Sequence, residues 1–357
     1  MTAAVTTCED MNTNTRGTKV LCFGEIMLRL RATGGGRLLQ NNRLEALFGG
    51  SEANVAVSLA IMGAEAAFCT VLPDNALGDA CLRALRSFGV DLSPTVRGRG
   101  RMGLYFVETG AGHLPGQVIY DREGSACALA GPGDIDWKKA AEGCGWLHLS
   151  GITPAISQSA AELTFEAART AKELGMTVSV DLNYRKNLWK YGAAPAEVLD
   201  RLCSYADYLV ANDTHVREVL GISVPGDFDA FEPDPGIFRD LGMKILERYP
   251  GMKGVALTLR RTHSADWNDI AGYYAGRDCF YASPRYEIRD IVDRIGGGDA
   301  FTAGLIYGLC RFGDPGRALD FGVAASCLKH SVPGDFNLVT ADEIEKLASG
   351  GNGRLDR

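Results

Sequence analysis

The chain has 357 residues, 46% of them apolar, and a formal charge of -7. That is enough apolar sequence to bury a sizeable core, which excludes a fibrous or disordered chain. The acidic balance excludes a broad basic field for nucleic acid or anionic membrane, so any anionic ligand has to meet a local cationic pocket.

Residues 1–18 are polar and rich in Thr and Asn, with no apolar leader core, and read as a disordered tail. From Lys19 onward, short apolar runs alternate with segments of 3.6-residue period, which predicts an α/β fold built on a mostly parallel sheet. The predicted buried strands are 19–24, 66–71, 145–149, 176–181, 207–211 and 253–259. The predicted helices are 52–62, 76–88, 157–174, 213–220, 236–248, 298–311, 315–329 and 341–348.

Two regions break this rhythm, 24–48 and 97–122, where alternating residues run on without a helix. They predict antiparallel strands in a small β lid beside the main body, a boundary that favours a ligand cleft. Open lid edges also invite a second copy of the chain, so a homo-oligomer is expected. Residues 221–235 and the polar stretch 260–269 read as loops, and 349–357 as a flexible tail.

No apolar run approaches the roughly 20 residues that cross a bilayer. Ten cysteines lie scattered, many inside apolar runs and none in C-x-x-C spacing, which fits reduced thiols in a cytoplasmic protein. The five histidines stand apart, so no transition-metal site is expected.

The strongest chemical signal is Asp293-Arg294-Ile295-Gly296-Gly297-Gly298-Asp299, which opens an apolar helix containing Phe301, Leu305 and Leu309. Free backbone N–H groups at a glycine-rich helix start, together with the helix dipole, suit a phosphate. Asp299 at the mouth of that anion hole is either the helix N-cap or a base that takes a proton from an attacking hydroxyl.

That segment resembles the second signature of the ribokinase-like (PfkB-type) carbohydrate kinases, and Gly49-Gly50-Ser51-Glu52-Ala53-Asn54 resembles their first. Taken without the resemblance, the latter is an ordinary turn with Ser51 as cap. The likeness runs from residue 19 to about 348 and implies a three-layer α/β/α body with a β lid, ATP and Mg²⁺ as cofactors, and Asp299 as base with Gly296, Gly297 and Gly298 as anion hole. It also implies that Gly49, Gly50 and Asn54 meet the sugar, and that Asn212, Thr258, Arg260 and Gly298 meet the nucleotide.

The segments around Tyr105, Tyr120-Asp121-Arg122, Ser150-Gly151-Ile152 and Asp181-Leu182-Asn183-Tyr184-Arg185 are similar to 2-keto-3-deoxygluconate kinases. By that likeness Tyr105, Tyr120 and Ile152 line the sugar pocket, Arg122 and Arg185 grip a carboxylate, and Asp335 stands near the reacting end. A guanidinium fork suits a carboxylate, whereas a neutral sugar needs no such pair. The structural alternatives are solvated ion pairs for the arginines, lid core for the tyrosines and an exposed turn for Asp335.

Two departures stand out: the family's N-x-x-E reads Asn212-Asp213-Thr214-His215, and Thr258-Leu259-Arg260-Arg261-Thr262-His263-Ser264 stands where most relatives have a short G-x-x-G turn near the nucleotide. In the lead-in to the glycines, Arg294 occupies a place where a small hydroxyl residue is common. Imidazole is a poor ligand for Mg²⁺, so the metal ligands stay unassigned. The reading is an ATP-dependent kinase of 2-keto-3-deoxygluconate; the alternatives are a neutral-sugar kinase, a kinase of the galactonate epimer, or a catalytically silent sugar-binding regulator.

Overall fold

The computed structural model describes residues 18–230 and 232–351, so the predicted tail up to residue 17 and the segment 352–357 lie outside it. Fifteen strands follow in chain order: β1 (Lys19–Phe23), β2 (Met27–Ala32), β3 (Leu44–Gly49), β4 (Ala66–Cys69), β5 (Val71–Pro73), β6 (Val96–Gly98), β7 (Gly103–Glu108), β8 (Gln117–Asp121), β9 (Cys144–Ser150), β10 (Thr177–Asp181), β11 (Tyr208–Asn212), β12 (Gly254–Ser264), β13 (Trp267–Gly276), β14 (Phe280–Ala282) and β15 (Tyr286–Ile288).

The main sheet runs β14-β13-β12-β11-β10-β9-β1-β4, with β15 also pairing with β13. Its pairs from β4 to β12 are parallel. The short apolar runs form inner strands because both their faces are covered. In β1, Leu21 and Phe23 face one hydrophobic cluster while Val20 and Cys22 face the other. The first cluster is closed by the helices Gln158–Glu173, Pro195–Cys203 and Pro235–Arg248, the second by Ser51–Ile61, Gly297–Arg311 and Pro315–Lys329. The result is a three-layer α/β/α body.

The lid is a separate four-stranded sheet in the order β3-β2-β7-β8. Its outer pairs are antiparallel, as expected, but β2 and β7 run parallel from Met27↔Gly103 outward. Alternation carries no information on strand direction, and no hairpin joins these two strands to impose the antiparallel sense. Residues 97 and 98, read as lid, pair instead with β5.

The stretch 260–269 is not a loop. Arg260–Ser264 continues β12, and the chain turns at Ala265–Asp266 into β13, with Arg260↔Ile270 and Thr262↔Asn268 as partners. Polar side chains there face the cleft and solvent, and composition cannot distinguish such a hairpin from a loop. The predicted helix 213–220 is a three-residue turn, Asp213–His215, followed by a π-helix, Val216–Leu220. The nine described cysteines are free. Among the described residues, no helix is long and apolar enough to cross a membrane.

Candidate active site

The loop before the helix Gly297–Arg311 ends at Gly296, which sits in the left-handed region at φ 85°. A Cβ there would lie 2.0 Å from the carbonyl oxygen of Asp335, so both conformation and space require glycine. At Gly298 a Cβ would meet nothing within 4 Å, and the backbone opens directly onto a cavity.

Gly296 is the N-cap, which makes Asp299 the third residue of the helix and rules out the capping role for its side chain. Its buried carboxylate points across to the helix Ser51–Ile61, accepting from Ser51 Oγ at 2.8 Å and Asn54 Nδ2 at 2.7 Å. The Ser51 hydroxyl caps nothing, because the N-cap of that helix is Gly50. Asn54 Oδ1 accepts the Gly50 N–H at 3.2 Å, and Asn183 Nδ2 donates to Ser51 Oγ at 3.1 Å. Burial raises the Asp299 carboxyl above the usual carboxylate range, opposed by the hydrogen bonds from Asn54 and Ser51.

The cavity measures about 620 Å³ and lies between the lid and the carboxyl ends of the parallel strands. Its wall brings together every sequence-predicted site residue: Gly49, Gly50, Asn54, Tyr105, Tyr120, Arg122, Ile152, Arg185, Asn212, Thr258, Arg260, Gly296, Gly297, Gly298, Asp299 and Asp335. The lid supplies Tyr105 and Tyr120, stacked with centroids 5.9 Å apart. Tyr105 is buried and Tyr120 exposed.

Asp335 is not the exposed turn residue that its local sequence allows. It is buried, accepts from Tyr105 Oη at 2.6 Å, and forms an ion pair with Arg29, whose other nitrogen reaches Asp293 at 2.6 Å. Arg29 is wholly buried on β2 and was missed by the sequence reading. Its signal was weak, since Leu28 and Leu30 on the opposite face of the strand look like the inward set.

The two predicted carboxylate-binding arginines stand in different states. Arg122 donates through Nε to Glu25 at 2.7 Å, a carboxylate of its own chain. Arg185 is exposed to the cavity, and among the described residues its side chain bonds only the Tyr184 carbonyl, at 3.3 Å. The Arg260 side chain, exposed to the cleft, makes no hydrogen bond or ion pair among the described residues, and desolvation within the cleft, then Arg294 and Arg185, lower its pKa.

His215 lines the same wall, pushed down to about 4 by burial and by Arg185 and Arg260, and is therefore neutral at pH 7. Asn212 holds it, accepting the His215 N–H at 2.7 Å. Two further carboxyls went unassigned in the sequence. Asp181 is pushed up to about 7 by burial and Asp299; Glu52, likewise about 7 through burial, accepts from Ser150 and Thr153. Glu52 lies inside the glycine segment that carries Asn54, and Asp181 opens the segment that carries Arg185; local sequence shows neither one's burial. Among the described residues, no group of three or more His, Cys, Asp or Glu side chains is placed to hold a metal.

The pfkB family carbohydrate kinase profile matches residues 17–228 and 271–341. The chain is 34% identical to 2-dehydro-3-deoxygalactonokinase of Haloferax volcanii, over 95% of this chain and 99% of that one. It is 32% identical to 2-dehydro-3-deoxygluconokinase of Thermoproteus tenax, over 92% and 93%. Among solved structures, 2-dehydro-3-deoxygluconokinase of Thermotoga maritima superposes with TM-score 0.88 at 43% identity, covering 93% of this chain and 100% of that one.

Proposed function

This chain belongs to the pfkB family of carbohydrate kinases, and from that premise we propose that it phosphorylates the terminal hydroxyl of 2-keto-3-deoxygluconate at the expense of ATP. The observation that carries this reading is the buried Asp299 carboxylate, fixed by Ser51 and Asn54 beside the glycine helix start, in a cavity where Arg185 has no carboxylate partner among the described residues.

Asp299 takes the proton from the attacking hydroxyl as its oxygen bonds to phosphorus. The electron pair of the broken phosphorus–oxygen bond leaves with ADP. A pKa raised by burial makes Asp299 a better proton acceptor than an exposed carboxylate, while Ser51 and Asn54 keep it oriented. The backbone N–H of Gly298 faces the developing charge, while the Gly297 N–H closes the turn on the Arg294 carbonyl at 3.5 Å, and the lid tyrosines cover the sugar.

ATP fits this wall: Gly298 leaves open backbone, Thr258 and Arg260 stand on β12, and Asn212 stands at the end of β11. Mg²⁺ would supply charge neutralisation. Asp213 is paired with Arg217 and His215 is held by Asn212, so phosphate and water oxygens are the donors that suit the ion here.

An ADP-release assay across neutral sugars and sugar acids tests the reading, with 2-keto-3-deoxygluconate expected to give the highest kcat/KM. The Haloferax volcanii relative favours the galactonate epimer as a second reading, and the same panel separates the two. A neutral sugar as preferred substrate would remove the sugar-acid assignment, and no ADP release on any sugar would favour a silent regulator. Arg185→Ala should lower kcat/KM for the acid by about 10²-fold, the scale of a truncated charge pair, while leaving a neutral analogue nearly unchanged.

A cytoplasmic homo-oligomer joined through the lid completes the proposal, without nucleic acid or membrane. β8 is an edge strand whose Ile119 is exposed on the face away from the cavity-lining Val118 and Tyr120, which fits pairing with a second copy.

A further inference from the structure

Arg294 lies two residues before the N-cap Gly296 and lines the cavity, half-buried. Its Nη2 donates to the Ser264 carbonyl at 3.1 Å and to Asn268 Oδ1 at 3.0 Å, two neutral acceptors on the β12–β13 hairpin. Its Nε is buried without a partner, and no carboxylate comes within ion-pair distance of its guanidinium among the described residues. Asp266, an acid that acts on Arg294 through space, commits its carboxylate to Ser264 Oγ at 2.5 Å and the Gly112 N–H at 3.3 Å.

A guanidinium anchored through Nη2 by neutral groups keeps its charge uncompensated, and its Nη1 makes no hydrogen bond among the described residues and is left for an anion. Two other arginines, Arg29 and Arg122, have found carboxylates, yet among the described residues Arg185, Arg260 and Arg294 line one cavity without any. Their mutual proximity is visible in Arg260, which both of the others disfavour as a cation. Such a set is unfavourable until an anion of several charges enters.

Two anions come with the reaction, a sugar carboxylate and a polyphosphate. Arg122 and the lid tyrosines stand on the sugar side. Arg294 instead shares its backbone with the anion hole and its anchor with β12, which also carries Thr258 and Arg260.

We propose that Arg294 contacts the terminal phosphates of the bound nucleoside triphosphate and stabilises the phosphoryl group during transfer, with Arg260 as its neighbour on the polyphosphate. This rests on the kinase reading above but not on the identity of the sugar. The anchoring hairpin turn also meets the lid tip, where Ala265 N–H donates to the Gly112 carbonyl at 2.8 Å. The placement of the guanidinium is thereby tied to the lid that covers the acceptor.

The experiment compares the full-length protein with Arg294→Gln and Arg294→Lys. Calorimetric binding of a non-hydrolysable ATP analogue, ADP and AMP is measured without sugar, alongside turnover with the best acceptor of the panel. Arg294→Gln should weaken the triphosphate by roughly tenfold, the scale of a charge-assisted contact, and leave AMP unchanged. It should lower kcat by about 10²-fold with the sugar KM nearly unaltered. Arg294→Lys, which keeps a charge and a donor to Ser264, should fold even if the Gln variant does not, and should lose kcat while retaining most of the triphosphate affinity. Equal weakening of all three nucleotides, or a raised sugar KM with unchanged triphosphate binding and kcat, overturns the proposal. Nucleotide binding that behaves as expected while no sugar is turned over would instead count against the kinase reading alone.

Discussion

At the scale of single residues, the site is organised around one carboxylate whose partners come from the other end of the chain: Ser51 and Asn54 lie 248 and 245 residues before Asp299. Asp299→Asn should therefore fold with an unchanged melting temperature and lose at least about 10²-fold in kcat, read in a steady-state ADP-release assay. Ser51→Ala addresses the electrostatics. The Ser51 hydrogen bond favours the ionised carboxylate against burial, so its loss should raise the Asp299 pKa further. Because the ionised form is the active one, the acid limb of the pH–kcat profile should move to higher pH. A limb that stays in place would mean that another group sets it. Asp299 and the glycines were legible because two signatures, around Asn54 and around Asp299, occur in the family's order; the glycine–Asp segment alone also suits an ordinary capped helix. Glu25 and Arg29 were not, since a buried charge is recognised by its partners, and these stand 97 and 306 residues away in the chain.

At the scale of elements, the parallel strands were readable because burial on both faces leaves a compact apolar run, as in Val178 and Val180 of β10. The β12–β13 hairpin was not, because Arg260–Ser264 carries polar side chains on backbone that nonetheless pairs with β13, with one register irregularity between Thr262 and Ser264. That hairpin has a mechanical role as well as a structural one. Its turn holds the lid tip through Ala265 and Asp266, and holds the approach to the catalytic helix through the Ile291 N–H on the Asp266 carbonyl at 3.1 Å. Asp266→Ala removes the side-chain part of this contact. Amide exchange at Gly112 should then accelerate by roughly fivefold to tenfold, as expected for a net hydrogen bond of about 1 kcal/mol, with β9 and β10 unaffected. Unchanged exchange at Gly112 would show that the backbone bonds alone hold the lid tip.

At the scale of the whole molecule, buried carboxyls make stability depend on pH in an unusual direction. Glu52 and Asp181 are both pushed up to about 7 by burial, from the ordinary values of unfolded carboxyls near 4. Protons are thus held more tightly by the folded chain, and the associated stability is complete below about pH 4 and is lost as pH rises through about 7. Melting temperatures measured from pH 5 to 8 should fall, and Glu52→Gln, which keeps an acceptor for Ser150 and Thr153, should flatten that fall. A slope identical to that of the parent chain would remove Glu52 from the account. The overall architecture was legible from the alternation of elements, whereas the closure of the lid onto the body was not, because it depends on Arg29 meeting Asp293 and Asp335. That triad has a consequence for the order of events during synthesis. Arg29 leaves the ribosome early, while its two counter-charges follow more than 260 residues later. A nascent chain halted before Asp293 would carry an uncompensated cation at the place where lid and body must join, so it cannot dock the lid prematurely. The sugar pocket is then among the last parts of the molecule to be assembled.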